Sequence, residues 1–123
     1  MAMVYPATLE HMARILVIDD EPLVARVIQR ALKIHEVDVA PGGLEGLAMH
    51  RREPYPLAIV DIHLGDASGP VLAVRLGQVS PVRVILMSGD QEADGWDGDL
   101  LVKPFRIEQL QRMVDRLLTL PPV

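Results

Sequence analysis

The stretch Leu57-Ala58-Ile59-Val60, closed by Asp61, constrains this chain more than any other. Four apolar residues in a row fit a strand buried on both faces, as in a parallel sheet. The run then stops at one carboxylate. Burying an unpaired charge is costly, so Asp61 belongs where the strand emerges from the core. In open α/β sheets, ligands bind outside the carboxyl ends of the strands. Asp61 therefore lies where chemistry usually occurs.

Three other apolar runs end in the same way. Ile15 to Ile18 stops at Asp19-Asp20-Glu21, Val82 to Met87 stops at Ser88-Gly89-Asp90, and Leu100 to Val102 stops at Lys103-Pro104. Helical patterns separate these runs. Pro22 suits the first turn of a helix, and Val24, Val27, Ile28 and Ala31 mark its buried face to about Lys33. Glu36 to Ala40 alternates polar and apolar residues, as an edge strand does. Pro41-Gly42-Gly43 is a turn, and Leu44 to Arg52 a second helix, ended by Pro54 and Pro56. Val71 to Gln78 is a third. A last helix runs from about Arg106 to Leu118, with Ile107, Leu110, Val114 and Leu117 on its buried face. Strands alternating with helices predict an α/β fold, a doubly wound parallel sheet covered on both faces. Residues 1–12 show no usable period and are read as an extension, native or left by cloning; residues 13–120 form the single domain.

Composition excludes several function classes. The chain has 123 residues and no cysteine, so disulfides, thiolate catalysis and cysteine-ligated zinc are ruled out. Its four histidines are scattered without metal-ligand spacing. Seventeen acidic residues against twelve basic ones give a net charge of −5, which offers no footprint for nucleic acid and suits a cation site. No apolar run reaches the roughly 18 residues of a membrane span. The first residues lack the charged start and apolar run of a signal peptide. The expectation is a soluble cytoplasmic protein that binds neither nucleic acid nor membrane.

In a parallel sheet all four polar strand ends share one edge. Three carboxylates, a hydroxyl and an ammonium then meet in one cleft. Crowded carboxylates take up protons unless compensated, and a hard divalent cation such as Mg²⁺ relieves the repulsion while keeping waters and phosphate oxygens. The pattern points to phosphoryl transfer, with Asp61 as nucleophile and Asp19 and Asp20 as metal ligands. Each residue also has a plainer reading. Asp19-Asp20 can cap the helix at Pro22, Lys103 can be a solvated charge, Ser88-Gly89 an ordinary turn, and His63 a solvent-facing loop residue. His63 and Asp90 can alternatively flank the path of a water that hydrolyses the phosphoryl group.

The four motifs Ile18-Asp19-Asp20-Glu21-Pro22, Val60-Asp61-Ile62-His63-Leu64, Met87-Ser88-Gly89 and Val102-Lys103-Pro104-Phe105, in this order, resemble the receiver domain of bacterial two-component response regulators. The resemblance covers residues 14 to about 119. It implies a flavodoxin-like five-stranded sheet of order 2-1-3-4-5. It also implies transfer of a phosphoryl group from a histidine kinase or phosphotransfer protein to Asp61, with Mg²⁺ bound. Asp20, Asp61 and the backbone carbonyl of His63 would hold the metal, Asp19 would hold a metal-bound water, Ser88 would be the switch hydroxyl, and Lys103 would pair with the phosphoryl group. The Lys103-Pro104 bond is usually cis in that family. Such a domain signals to a downstream protein target. It is not an enzyme with a separate substrate, and assists only its own phosphorylation and dephosphorylation.

Three features depart from the family pattern. Gly65 stands where proline is common. Leu100 stands where an aromatic ring usually responds to the switch hydroxyl. The segment from Gly89 to Asp99 carries three glycines, four aspartates and no helical period, and glycine costs roughly 1 kcal/mol per helix position. The family's fourth helix, between strands four and five, is therefore expected to be shortened or missing, with Trp96 folding back over the exposed sheet. This argues against the family's usual dimer through its fourth helix, fifth strand and fifth helix. Two rival functions follow: a receiver-like interaction module that signals without phosphorylation, and an aspartyl-nucleophile phosphohydrolase. The hydrolase is disfavoured because His63 stands where such enzymes carry a second aspartate.

Overall fold

A computed structural model describes residues 12–89 and 95–121. In chain order the elements are β1 (Arg14–Ile18), α1 (Pro22–Ala31), β2 (Glu36–Ala40), α2 (Gly43–Arg52), β3 (Leu57–Asp61), α3 (Gly69–Val79), β4 (Arg83–Ser88), β5 (Asp99–Val102) and α4 (Ile107–Thr119). The strands form one parallel sheet in the order β2-β1-β3-β4-β5. β2 is an edge strand, as its alternating sequence predicts.

Side chains of successive strand residues point to opposite faces, and this splits the core in two. Ile15, Val17, Leu57, Ile59, Ile85, Met87 and Leu101 face α1 and α4. Leu16, Ile18, Ala58, Val60 and Leu86 face α2 and α3. β3 is at the centre, with all four apolar residues fully buried. That double burial is why its run is continuous rather than alternating.

Two helix faces differ from the expected ones. On α1 the buried residues are Ala25, Ile28 and Ala31, while Val27 is exposed. A small side chain lets the helix approach the sheet, and the buried stripe is turned toward Ala25, leaving Val24 only partly buried. On α4, Leu110, Val114 and Leu117 are buried but Ile107 is exposed. Ile107 is the first residue of α4, ahead of the buried stripe that begins at Leu110.

Four helices are described, and none falls between β4 and β5. Residues 90–94 of that segment, including Asp90, lie outside the described residues, as do residues 1–11 and the last two. Trp96 packs against the α2–α3 side of the core and donates from Nε1 to the Asp99 carbonyl at 3.0 Å. A Cβ at Gly98 would come within 2.6 Å of the indole ring, so glycine there makes room for it. No described helix is long and apolar enough to cross a membrane.

Candidate phosphoryl-transfer site

The parallel order brings the carboxyl ends of β1, β3, β4 and β5 to one edge. Asp61 is the last residue of β3, and its backbone pairs with Met87. It is 6% exposed, more enclosed than a residue simply emerging from a strand. What makes this tolerable is Lys103, just past β5, whose Nζ lies 3.6 Å from Asp61 Oδ1. The same ammonium lies 3.8 Å from the exposed Glu21. The Lys103-Pro104 peptide is cis.

Asp19 and Asp20 follow β1 directly. Oxygen atoms of Asp19, Asp20 and Asp61 all lie within 4.8 Å of one another. Asp19 is 2% exposed. Its Oδ1 accepts the Glu21 N–H at 2.8 Å and so supports the start of α1. The helix-capping reading of Asp19 thus holds alongside any role in the site. Its Oδ2 is buried and has no hydrogen-bond partner among the described residues. Burial, chiefly, raises the Asp19 carboxyl above the usual carboxylate range; the amide of Glu21 opposes this and the Asp61 charge adds to it. A buried oxygen without a partner is expensive, and one lysine does not balance three clustered carboxylates. The donor set is all oxygen, partly open through the exposed Asp20. It therefore fits a hard divalent cation such as Mg²⁺.

Ser88 ends β4, is buried, and pairs with Val102; its carbonyl accepts the Lys103 N–H at 2.7 Å. Hydroxyl and ammonium thus arise side by side, across one rung of the sheet. The exposed His63 and Asp20 line a cleft of about 530 Å³ formed with Ile62, Leu64, Gly65, Ala67 and Ser68. The His63 N–H approaches Asp61 Oδ1 at 3.4 Å.

The fold therefore gathers Asp19, Asp20, Asp61, Ser88, Lys103 and the His63 backbone at one edge. Two participants were not apparent from sequence. Glu21 shares Lys103 with Asp61; its adjacency to Asp19-Asp20 was the available signal. Asp66 accepts hydrogen bonds from the amides of Gly43 and Leu44, and nothing local to its sequence marks a partner 23 residues earlier.

Comparisons with known proteins agree with this geometry. Residues 15–115 match the family model for the response regulator receiver domain, and the chain belongs to that family. The response regulator ArlR of Staphylococcus epidermidis is 31% identical over 121 residues, covering 90% of this chain and 55% of the relative. The chain thus spans about half the length of that protein. Among solved structures, the receiver domain of the hybrid histidine kinase CckA is 28% identical with a TM-score of 0.76, covering 86% of this chain and 99% of the other. A CheY-like response regulator receiver domain protein from Methanospirillum hungatei JF-1 is 26% identical with a TM-score of 0.79, covering 87% and 94%. Receiver domains as a family are signalling phosphoacceptors rather than enzymes acting on a separate substrate.

Proposed function

We propose that residues 13–120 form a phosphorelay receiver that takes a phosphoryl group onto Asp61. The observation that carries this reading is the buried Asp61 carboxylate, with an ammonium at 3.6 Å and two further carboxylates within 4.8 Å. An Asp61 oxygen attacks phosphorus in line; a P–O bond forms as the donor's bond to phosphorus breaks, and the donor histidine leaves with its electron pair. The chain's own residues mostly position and neutralise. Lys103 turns from the Asp61 carboxylate to the incoming phosphoryl oxygens. Ser88, on the neighbouring strand end, donates its hydroxyl to one of them and transmits the change along β4 and β5.

Asp20, Asp61 and the His63 carbonyl would hold Mg²⁺, and Asp19 would orient a metal-bound water. The bound ion would neutralise phosphoryl oxygens and let three carboxylates coexist. The donor is a histidine kinase or phosphotransfer protein, and the output is a change in affinity for a downstream protein. A cytoplasmic location fits such partners, and residues 1–12 lie outside the working unit.

The test is intact-mass measurement after incubation with Mg²⁺ and acetyl phosphate, with Asp61→Asn as control. One added phosphoryl group, dependent on both Asp61 and Mg²⁺, is expected. No addition under any condition would instead favour a module that signals by binding alone, and multiple turnover of a small phosphoester would indicate a hydrolase.

A further inference from the structure

The loop that leaves Asp61 has an unusual anchor. Residues 62–68 carry the His63 backbone and the wall of the cleft. At the base, Ile62 N–H donates to the Met87 carbonyl at 2.9 Å, and Gly69 N–H donates to the Ile62 carbonyl at 3.0 Å. His63 and Ser68 form an isolated bridge, and Ser68 caps α3. These contacts close the loop on itself. Asp66, at its tip, reaches out of the loop to α2.

Both carboxylate oxygens are engaged there. Oδ1 accepts the Gly43 N–H at 2.9 Å and Oδ2 accepts the Leu44 N–H at 3.0 Å. α2 has Gly42 at its N-cap and no side-chain cap of its own, so its first amides are orphans. A carboxylate at a helix N-terminus is favoured by the helix dipole, and hydrogen bonds to an ionised acceptor are strong ones. The sequence makes room for the contact. A Cβ at Gly42 would lie 3.2 Å from Asp66 Oδ2, and one at Gly43 would lie 3.2 Å from the Ala67 Cβ. Pro41-Gly42-Gly43 is thus more than a turn, because its missing side chains seat the loop.

We propose that Asp66 is a positioning residue for the phosphoacceptor site. It braces the tip of the Asp61 loop against α2 and thereby fixes the His63 carbonyl and the cleft wall where cation and phosphoryl group are received. The inference rests on the phosphoacceptor reading of Asp61. Asp66 touches neither Asp61 nor the reacting atoms; it acts through the loop backbone. It ties the loop tip to α2 by a long-range contact that the loop's own hydrogen bonds do not supply.

The test compares the wild-type chain with Asp66→Ala, Asp66→Asn and Gly43→Ala. Asparagine keeps one acceptor oxygen and loses the other. Gly43→Ala keeps Asp66 and crowds its seat. Mg²⁺ affinity is measured by titration calorimetry, and phosphoryl uptake from acetyl phosphate by intact mass, at a temperature where circular dichroism shows each variant folded. Asp66→Ala is expected to weaken Mg²⁺ binding about tenfold, with Asp66→Asn and Gly43→Ala falling between it and wild type and uptake at fixed Mg²⁺ following the same order. A purely structural cap predicts lower melting temperatures with unchanged Mg²⁺ affinity, and that result in folded Asp66→Ala would overturn the inference. Should Asp66→Ala not fold, unchanged affinity in both other variants overturns it equally. A wild-type chain that neither binds Mg²⁺ nor accepts a phosphoryl group sinks the underlying reading, whereas a competent wild type matched by all three variants sinks this inference alone.

Discussion

At each end of the sheet one cation meets several carboxylates, yet the two ends behave differently. At the carboxyl end Lys103 faces Asp61 while Asp19 and Asp20 lie close by. At the amino end Arg14 lies 3.6 Å from Glu36, 3.7 Å from Asp38 and 3.4 Å from Glu53. The Glu36 and Glu53 side chains are 63% and 72% exposed, so water solvates them and each pair is worth little by itself. Asp19 and Asp61 are buried; burial above all, with the Asp61 charge adding to it, raises the proton affinity of Asp19, whose Oδ2 has no partner among the described residues. Charge ratio does not separate the two ends; burial does.

The amino end also satisfies its polar groups. Arg14 donates to the Glu53 and Pro54 carbonyls and lies 4.1 Å from the Tyr55 ring centroid. The Tyr55 hydroxyl donates to Asp38 at 2.6 Å. The fully buried His50 accepts the Tyr55 N–H on Nδ1 at 3.0 Å, and its Nε2 lies 3.2 Å from the Ser80 carbonyl. Those contacts assign the neutral Nε2–H tautomer. Arg83 donates to the carbonyls of Leu117, Leu120 and Pro121 and so closes the end of α4. One end holds the fold together, and the other keeps unspent binding capacity.

The sharpest way to break this contrast is to exchange the phenotypes of the two ends. Lys103→Met should cut phosphoryl uptake from acetyl phosphate about a hundredfold, since removing a preorganised electrostatic contact costs on the order of 3 kcal/mol in the barrier. Chemical denaturation of the metal-free variant should also show a loss of stability, because Asp61 then stays buried without its cation. His50→Leu should instead affect stability alone. It strands the Tyr55 amide and the Ser80 carbonyl in the interior and should cost about 2–4 kcal/mol in the urea midpoint, with uptake unchanged in the folded protein.

Asp19→Asn should separate function from stability at the carboxyl end itself. Folding raises the Asp19 pKa. The group's contribution is therefore fully present below the ordinary value of 3.8 and is lost as pH rises through the folded value. At neutral pH the ionised group destabilises the metal-free fold. The asparagine variant should therefore melt higher without Mg²⁺, by on the order of 1 kcal/mol, while binding Mg²⁺ at least 10-fold more weakly. A lower melting temperature in the metal-free variant would contradict this account.

The smallest effect belongs to Tyr55. Burial first, then the hydrogen bond to Asp38, pushes its hydroxyl up to about 12 from 10.0. Its stabilising contribution is fully present below pH 10 and is lost as pH rises through about 12. Tyr55→Phe should cost about 1 kcal/mol at neutral pH and flatten the alkaline loss of stability followed by circular dichroism.

Much of the carboxyl end was legible because a strand buried on both faces must be apolar until it leaves the core. Ile15 to Ile18, Leu57 to Val60 and Val82 to Met87 each announce where they stop, and parallel topology then forces the stops together. Trp96 was legible as a cover for the same reason: it is the one large apolar residue in a segment rich in glycine and acid. Helix faces were less legible. Val27 and Ile107 satisfy the period but not the burial, because the period leaves the exact orientation of the stripe free by about one residue.

By itself, the sequence determined the order of elements, the parallel sheet and the set of groups meeting at its edge. Local patterning is enough for these, since hydrophobic runs and their ends are near-neighbour properties. Only the tertiary structure decided that Asp61 is enclosed yet paired, that Asp19 keeps one oxygen without a partner among the described residues, and that Asp66 grips a helix 23 residues away. Partnerships of that kind depend on which loops the fold brings within 3 Å, and no spacing along the chain encodes that distance.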